Sequence, residues 1–317
     1  MEQPGSLDMR KVIDLECDLP PDENGNPRKL EAATHPPGYG DPERLPPLQG
    51  HGFSNYAHIF TRRGDGAAET AIGTEAKPEQ KSGMSIADFI GMMDRAGVEI
   101  GVLRAGNAII TDILAQYPNR FLGLASISPH DGMRGVRELV RLVQECGFSA
   151  LRVSALYNMV PASDRRYYPL YAKCVELDIP VRIYTNMNYA TDRPYDLGHP
   201  RHLDQIAMDF PELRIVAGLS GWPWVNEMVA LLRRHPNLYC DTASHRPRYF
   251  GVAGSGWEQF LQFGNTLLQD KIMVGLSWEA FGIPMEAVVE EYAALPLKEP
   301  VLEKWLYRNA QRFFRLN

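Results

Sequence analysis

Two carboxylates stand two residues apart in the segment Val-Ile-Asp-Leu-Glu-Cys-Asp-Leu, at Glu16 and Asp18. The apolar run Val12–Leu15 in front of them predicts a strand. Side chains two apart on a strand share a face, about 6–7 Å from one another. Carboxylates at that spacing repel, so one should hold its proton to higher pH unless a cation sits between them. Such a pair suits general acid–base work, or two ligands of an oxygen-rich metal site. The competing reading is structural, with both salt-bridged to Arg104, Arg152 or Arg182.

Further candidates sit at the ends of predicted strands. Arg152 can clamp a carboxylate with its planar fork, or serve a salt bridge within the fold. Tyr184 and Asn186 share a face and can donate to an oxyanion; packing is the alternative for Tyr184. His245 is a candidate proton carrier or ligand, against the commoner fate of a surface loop histidine. Asp241 and Glu279 could join Glu16 and Asp18 in a rebuilt metal site, with His51, His58 and His245 as further donors. His130 is a weaker candidate. Trp222, Trp224 and Trp278 either line an apolar pocket or pack loops.

The elements that must position these groups alternate from Lys11 onward. Strands are predicted at Val12–Leu15, Val98–Arg104, Phe121–Ser126, Ala150–Val153, Val181–Tyr184, Arg214–Ala217, Leu238–Cys240 and Ile272–Val274. Helices are predicted at Ser85–Ala96, with Ser85 as N-cap, then Asn107–Gln116, Met133–Glu145, Tyr167–Leu177, His202–Phe210, Trp224–Arg233 and Trp257–Leu268. Two more close the chain near Met285–Ala294 and Val301–Phe314. Eight strands alternating with helices imply an α/β fold with a parallel sheet closed into a (β/α)8 TIM-like barrel. Residues 1–317 read as a single domain. A doubly wound open sheet is the alternative, disfavoured because no glycine-rich phosphate loop follows strand one. Residues 20–83 form a long insertion after strand one, rich in Pro and Gly. They read as either a lid or a surface excursion.

Composition narrows the partners. A chain of 317 residues, 44% hydrophobic and 23% charged, can bury a large core. The net charge of -6 comes without a concentrated basic face, which argues against nucleic acid. No run of about 18 apolar residues occurs, so no membrane span is expected. No signal peptide is read at the N-terminus. The 4 cysteines lack paired spacing and read as reduced thiols of a cytoplasmic protein. The expected partner is a small-molecule substrate, and the expected assembly a homo-oligomer such as a homodimer.

Several segments follow a known pattern. Gln116-Tyr-Pro-Asn-Arg-Phe-Leu-Gly-Leu-Ala resembles Tyr-Pro-x-Arg-Phe-x-Gly, and Gly147-Phe-Ser-Ala-Leu-Arg-Val resembles Gly-Phe-x-Gly-x-Arg/Lys. Tyr168-Pro-Leu-Tyr-Ala-Lys, Leu177-Asp-Ile-Pro-Val, Phe210-Pro-Glu-Leu-Arg-Ile-Val and Asn309-Ala-Gln-Arg-Phe-Phe continue the series. Their order and spacing resemble the amidohydrolase superfamily, in the branch of metal-dependent decarboxylases and lactonases. The resemblance implies metal ligands at four places. Strand one would carry His-x-His or Glu-x-His, where this chain has Glu16 and Asp18. Tyr184 stands where strand five would end in His, Leu219 where strand six would, and Ser277 where strand eight would carry Asp. The usual zinc site is therefore not expected.

The resemblance implies hydrolysis or decarboxylation of a small organic acid, ester or thioester at a rebuilt carboxylate site. No cofactor is expected in the leading reading; a variant holds nonheme iron or manganese. The opposing reading is a catalytically inactive binding or scaffold protein. Decay, however, should leave neutral residues rather than buried charges.

Overall fold

A computed structural model describes residues 10–26, 28, 83–187 and 193–316. Eight strands alternate with helices along them. β1 is Val12–Asp18, β2 Val98–Arg104, β3 Phe121–Ser126 and β4 Ala150–Val153. β5 is Val181–Tyr184, β6 Ile215–Gly218, β7 Leu238–Asp241 and β8 Ile272–Met273. Each pairs in parallel with the next, in the order β1 to β8. The amide of Leu15 donates to the Val274 carbonyl at 3.0 Å, tying β1 to the residue beyond β8. The sheet thus curls into a TIM barrel, and the open-sheet alternative falls.

Parallel neighbours need crossovers, and helices supply them. α1 (Ile86–Arg95) starts where expected: the Asp88 amide donates to Ser85 Oγ at 3.1 Å. α2 (Asn107–Gln116), α3 (Gly132–Cys146), α4 (Tyr168–Glu176), α5 (Arg201–Asp209) and α6 (Val225–Arg234) follow, then α7 (Glu258–Gly264) and α8 (Met285–Ala293). α7 is shorter than its apolar pattern suggests. The Asn265 side chain is used elsewhere, donating to the Pro296 carbonyl and accepting from the Lys298 amide. The C-terminal helical stretch runs from Glu299 to Phe314 through a π turn at Lys304–Arg308.

The barrel interior has two layers. Its floor is apolar: Ile13, Leu15, Val102, Leu124, Val216 and Met273 meet there, with Phe313 packed on them. Glu16, Asp18, Arg104, Arg152 and Asp241 lie in the C-terminal halves of their strands, the end where barrel enzymes keep their active sites, and Arg182, second in β5, pairs with Glu16 and Asp241. Apolar residues of alternate register face the helices.

β1 departs from simple alternation. It runs three residues past the apolar stretch, to Asp18, and its pairing with β2 slips between Asp14 and Cys17. Asp14 manages the slip. Its Oδ1 accepts from the Glu16 amide at 3.0 Å and from the Leu276 amide at 2.7 Å. One side chain thus satisfies a backbone donor at the bulge and another across the β1–β8 seam. Ile13 and Leu15 enter the floor, while Cys17 packs in the outer core with Met93 of α1.

The stem of the 20–83 insertion is fixed. Met84 N donates to the Pro21 carbonyl at 3.1 Å, and Arg28 donates to the carbonyls of Pro20 and Met84. The chain therefore leaves β1 and returns towards α1 at one point. The expectation of a lid, and His51 and His58 with it, lie outside the described residues.

Burial pushes the Asp14 carboxyl up to about 7, against the two amides that favour its anion. Its folded-state value is raised, so the folded chain holds this proton where the unfolded chain loses it. The stability Asp14 contributes is complete below about pH 4 and drains away as pH rises to about 7. Asp14→Asn keeps an acceptor for both amides without a charge. Its melting temperature relative to wild type should climb across that window and level off above it. A difference that stays flat with pH would contradict the assignment.

Candidate active site

The inward charges at the mouth form an alternating chain across the barrel. Asp18 Oδ1 lies 3.2 Å from Arg104 Nη1, and the same nitrogen lies 3.2 Å from Glu16 Oε1. Glu16 Oε2 lies 2.6 Å from Arg182 Nη1. Arg182 then donates from Nε to Asp241 Oδ2 at 2.8 Å and from Nη2 to Oδ1 at 3.2 Å. The order Asp18–Arg104–Glu16–Arg182–Asp241 joins β1, β2, β5 and β7. Glu16, Asp18, Arg182 and Asp241 are all buried.

Position in this chain splits the two β1 carboxylates. Burial pushes Glu16 up, but Arg182, Arg104 and Arg152 outweigh it and hold the carboxyl below its ordinary value. Asp18 is pushed up to about 6 by burial, with Glu16 and Glu279 adding to the effect and Arg104 opposing it. Glu16 is thus a fixed anion, and Asp18 exchanges its proton near neutrality. Both the expected repulsion and the structural salt bridges are present at once.

Arg152 stands beside this chain at the end of β4, paired in register with Arg182. It is half-buried, and its guanidinium lies 5.9 Å from the Tyr157 ring centroid. Among the described residues it has no carboxylate within ion-pair distance. Burial and the Arg104 charge push it down to about 10. Tyr184 hydrogen-bonds Asn186, and burial pushes its hydroxyl up to about 12, so it remains a proton-bearing donor at neutral pH.

Other candidates have different surroundings. His245 lies between aromatic rings, 4.9 Å from Trp257 and 6.1 Å from Trp222, and hydrogen-bonds the Leu219 backbone. Burial pushes it down to about 3. The ring is buried, not at the surface where a loop histidine commonly lies. Trp222 stacks on Trp257, and Trp278 donates to the Asp18 carbonyl at 3.2 Å, bracing the end of β1. Trp224 packs on His199. Glu279 lies on the short helix Trp278–Phe281. His130 Nε2 is 3.0 Å from the Asn158 carbonyl oxygen.

Sequence reasoning named Arg104 and Arg182 only as partners, and missed Asp14, Tyr157 and Gly218. Tyr157 hydrogen-bonds Arg104. Gly218 makes room for Arg182: a Cβ there would come within 3.1 Å of the guanidinium carbon. The available signal was an arginine on the inward register of β2 and β5, as for Arg152 on β4.

The residues present do not fit a divalent cation. Asp241 Oδ1 accepts from Arg182, the Leu219 amide and the Ala243 amide, and Oδ2 from Arg182. Glu16 gives an oxygen to each of two arginines. A guanidinium, already positive, lies between the two carboxylates a metal would need. Tyr184 and Leu219 offer no imidazole, and Ser277 Oγ accepts from the Ser244 amide. No group of three or more metal-ligating side chains occurs among the described residues, so the metal set Glu16, Asp18, Asp241 and Glu279 does not assemble there.

A (β/α)8 barrel with ionisable groups gathered at its C-terminal mouth defines a class of enzyme scaffold. Within it, the amidohydrolase family profile matches residues 75–316, and the chain belongs to that family. It is 32% identical over 136 residues to a 2-keto-4-carboxy-3-hexenedioate hydratase of a Sphingobium strain, across 37% of this chain and 40% of that enzyme. The match thus spans well under half of that relative. Among solved structures, an uncharacterized TIM-barrel protein from Bordetella bronchiseptica shares 24% identity at a TM-score of 0.69, covering 96% of this chain and 98% of the other. A 5-carboxyvanillate decarboxylase from Novosphingobium aromaticivorans, solved with manganese, shares 15% identity at 0.62, covering 98% of each. At these identities the two structures attest the fold. Among the described residues no helix is long and apolar enough to cross a membrane.

Removing one end of a buried ionic chain strands its partner. Asp241→Ala should destabilise the protein by about 3–5 kcal/mol, because Arg182 and two backbone amides lose their acceptor together. Urea unfolding measures this; a loss below about 1 kcal/mol would show that the Arg182–Asp241 pair is not held as described.

Proposed function

We propose that this protein is an enzyme that adds water to, or hydrolyses, a small carboxylated organic acid. Arg152 would pair with a substrate carboxylate and Asp18 would carry the proton. The observation that supports this most is the contrast at the mouth. Arg104 and Arg182 are committed to carboxylates, whereas Arg152 has none among the described residues, and it stands next to an acid poised at about 6. A guanidinium fork fits a carboxylate in two parallel bonds. The hydratase relative acts on a compound whose name carries carboxylate groups, which agrees with this substrate class.

The proton balance is simple. Ionised Asp18 takes a proton from water as the water oxygen bonds to the substrate carbon. Protonated Asp18 then returns it to the neighbouring carbon in hydration, or to the leaving oxygen in hydrolysis. The Tyr184 hydroxyl, oriented by Asn186, donates to the oxygen on which negative charge gathers. Decarboxylation would instead start from protonated Asp18, which delivers its proton to the carbon that loses carbon dioxide.

This difference gives the test. Turnover should be screened on small di- and tricarboxylates, including 2-keto-4-carboxy-3-hexenedioate and 5-carboxyvanillate. For water addition or hydrolysis, kcat/KM should rise with pH through about 6; for decarboxylation it should fall there. Asp18→Asn should fold and lose about 10²–10⁴ in kcat. Arg152→Met should raise KM about 10- to 100-fold with kcat less affected, the weight of one hydrogen bond to a charged group. Variants that stay folded with unaltered kinetics would overturn the reading. Absence of turnover and of carboxylate binding would leave a binding or scaffold protein.

A further inference from the structure

We infer that the guanidinium of Arg182 stands in for the divalent cation of metal-dependent relatives, so that this mouth works as a metal-free, arginine-charged site. The fold is built around that group. Glu16 on β1 and Asp241 on β7 approach Arg182 of β5 from two sides, at 2.6 and 2.8 Å. β6 contributes Gly218, whose missing side chain leaves the guanidinium its space. The Leu219 amide, at the position where the resemblance places a ligand histidine, turns instead to Asp241 and fixes the acceptor that Arg182 grips.

Charge explains how the exchange works. A divalent ion brings two positive charges to inward carboxylates; Arg182 brings one, and Arg104 brings the second. Each guanidinium does so with directed N–H bonds and cannot lose its proton in a protein. Here Arg182 is shared between two carboxylates, and Arg104 extends the positive charge to Asp18. The site keeps a buried cation between its carboxylates without needing to acquire one from solution. The chemical meaning of this inference rests on reading the mouth as an active site, but its test does not. Unchanged kinetics of the Asp18 and Arg152 variants would remove that reading and leave the metal result standing.

The test uses the full chain, purified without chelator and passed over a chelating resin. Metal content is measured, and melting curves are recorded with and without millimolar Mn²⁺ or Zn²⁺. Wild type should carry only trace metal, and its melting temperature should not move with either ion. Arg182→Ala should melt lower and recover several degrees with Mn²⁺, Zn²⁺ or low millimolar guanidinium chloride, but not with sodium chloride of equal ionic strength. Each occupies the space between Glu16 and Asp241. Arg182→Ala combined with Glu16→Gln should lose the metal response. Stoichiometric metal in wild type, with stability that falls when it is stripped, would overturn the inference, as would an Arg182→Ala protein that ignores all three cations. If Arg182→Ala yields no soluble protein, the wild-type metal content and melting shift still decide between the two.

Discussion

The ion pair that Arg182 makes with Glu16 and Asp241 governs the upper half of this barrel. Taking three charged side chains out of water costs several kcal/mol each, and only close, hydrogen-bonded pairing offsets it. The pairing is close: both Asp241 oxygens accept hydrogen bonds, and each Glu16 oxygen lies within ion-pair distance of an arginine. That arrangement fixes which strands must face each other across the mouth. It also leaves two charged groups of the mouth less fully paired.

These two are Asp18 and Arg152. Asp18 sits at the end of the charge chain and shares its arginine with Glu16, so its anion is the less favoured of the two. Arg152 sits outside the chain, where its like-charged neighbour Arg104 and partial burial favour a new anionic partner. An acid that titrates near neutrality beside an arginine short of a carboxylate is an arrangement that structural stability alone does not call for. Below it, the apolar floor formed around Ile13, Leu15 and Met273 provides a rigid seat, so a small shift of one charged group is resisted by packing.

Much of the fold was legible because strand and helix periods differ. Val98–Arg104, Phe121–Ser126, Ala150–Val153 and Val181–Tyr184 have the bounds their patterns predict. β1 was read too short, since hydrophobicity ends at Leu15 while the strand is carried on by charges whose partners come from β2 and β5. The bulge at Asp14 was invisible for a similar reason: its second partner, Leu276, lies 262 residues away. At the site, the placement of Glu16, Asp18 and Arg152 on β1 and β4 could be read from residue type and strand position. The commitment of Arg182 to Glu16 and Asp241 could not, because no local spacing reveals which inward residues meet across a closed barrel. The burial of His245 against Trp222 and Trp257 was likewise not legible from local spacing.

On this reading a guanidinium, not a metal, is the cation held between Glu16 and Asp241. Crystals of the wild-type protein grown with manganese, measured at the manganese absorption edge, address it at atomic level. The expected map has no anomalous peak at the barrel mouth and shows Arg182 in contact with both carboxylates. A strong anomalous peak between Glu16 and Asp241, with the Arg182 side chain displaced, would contradict it.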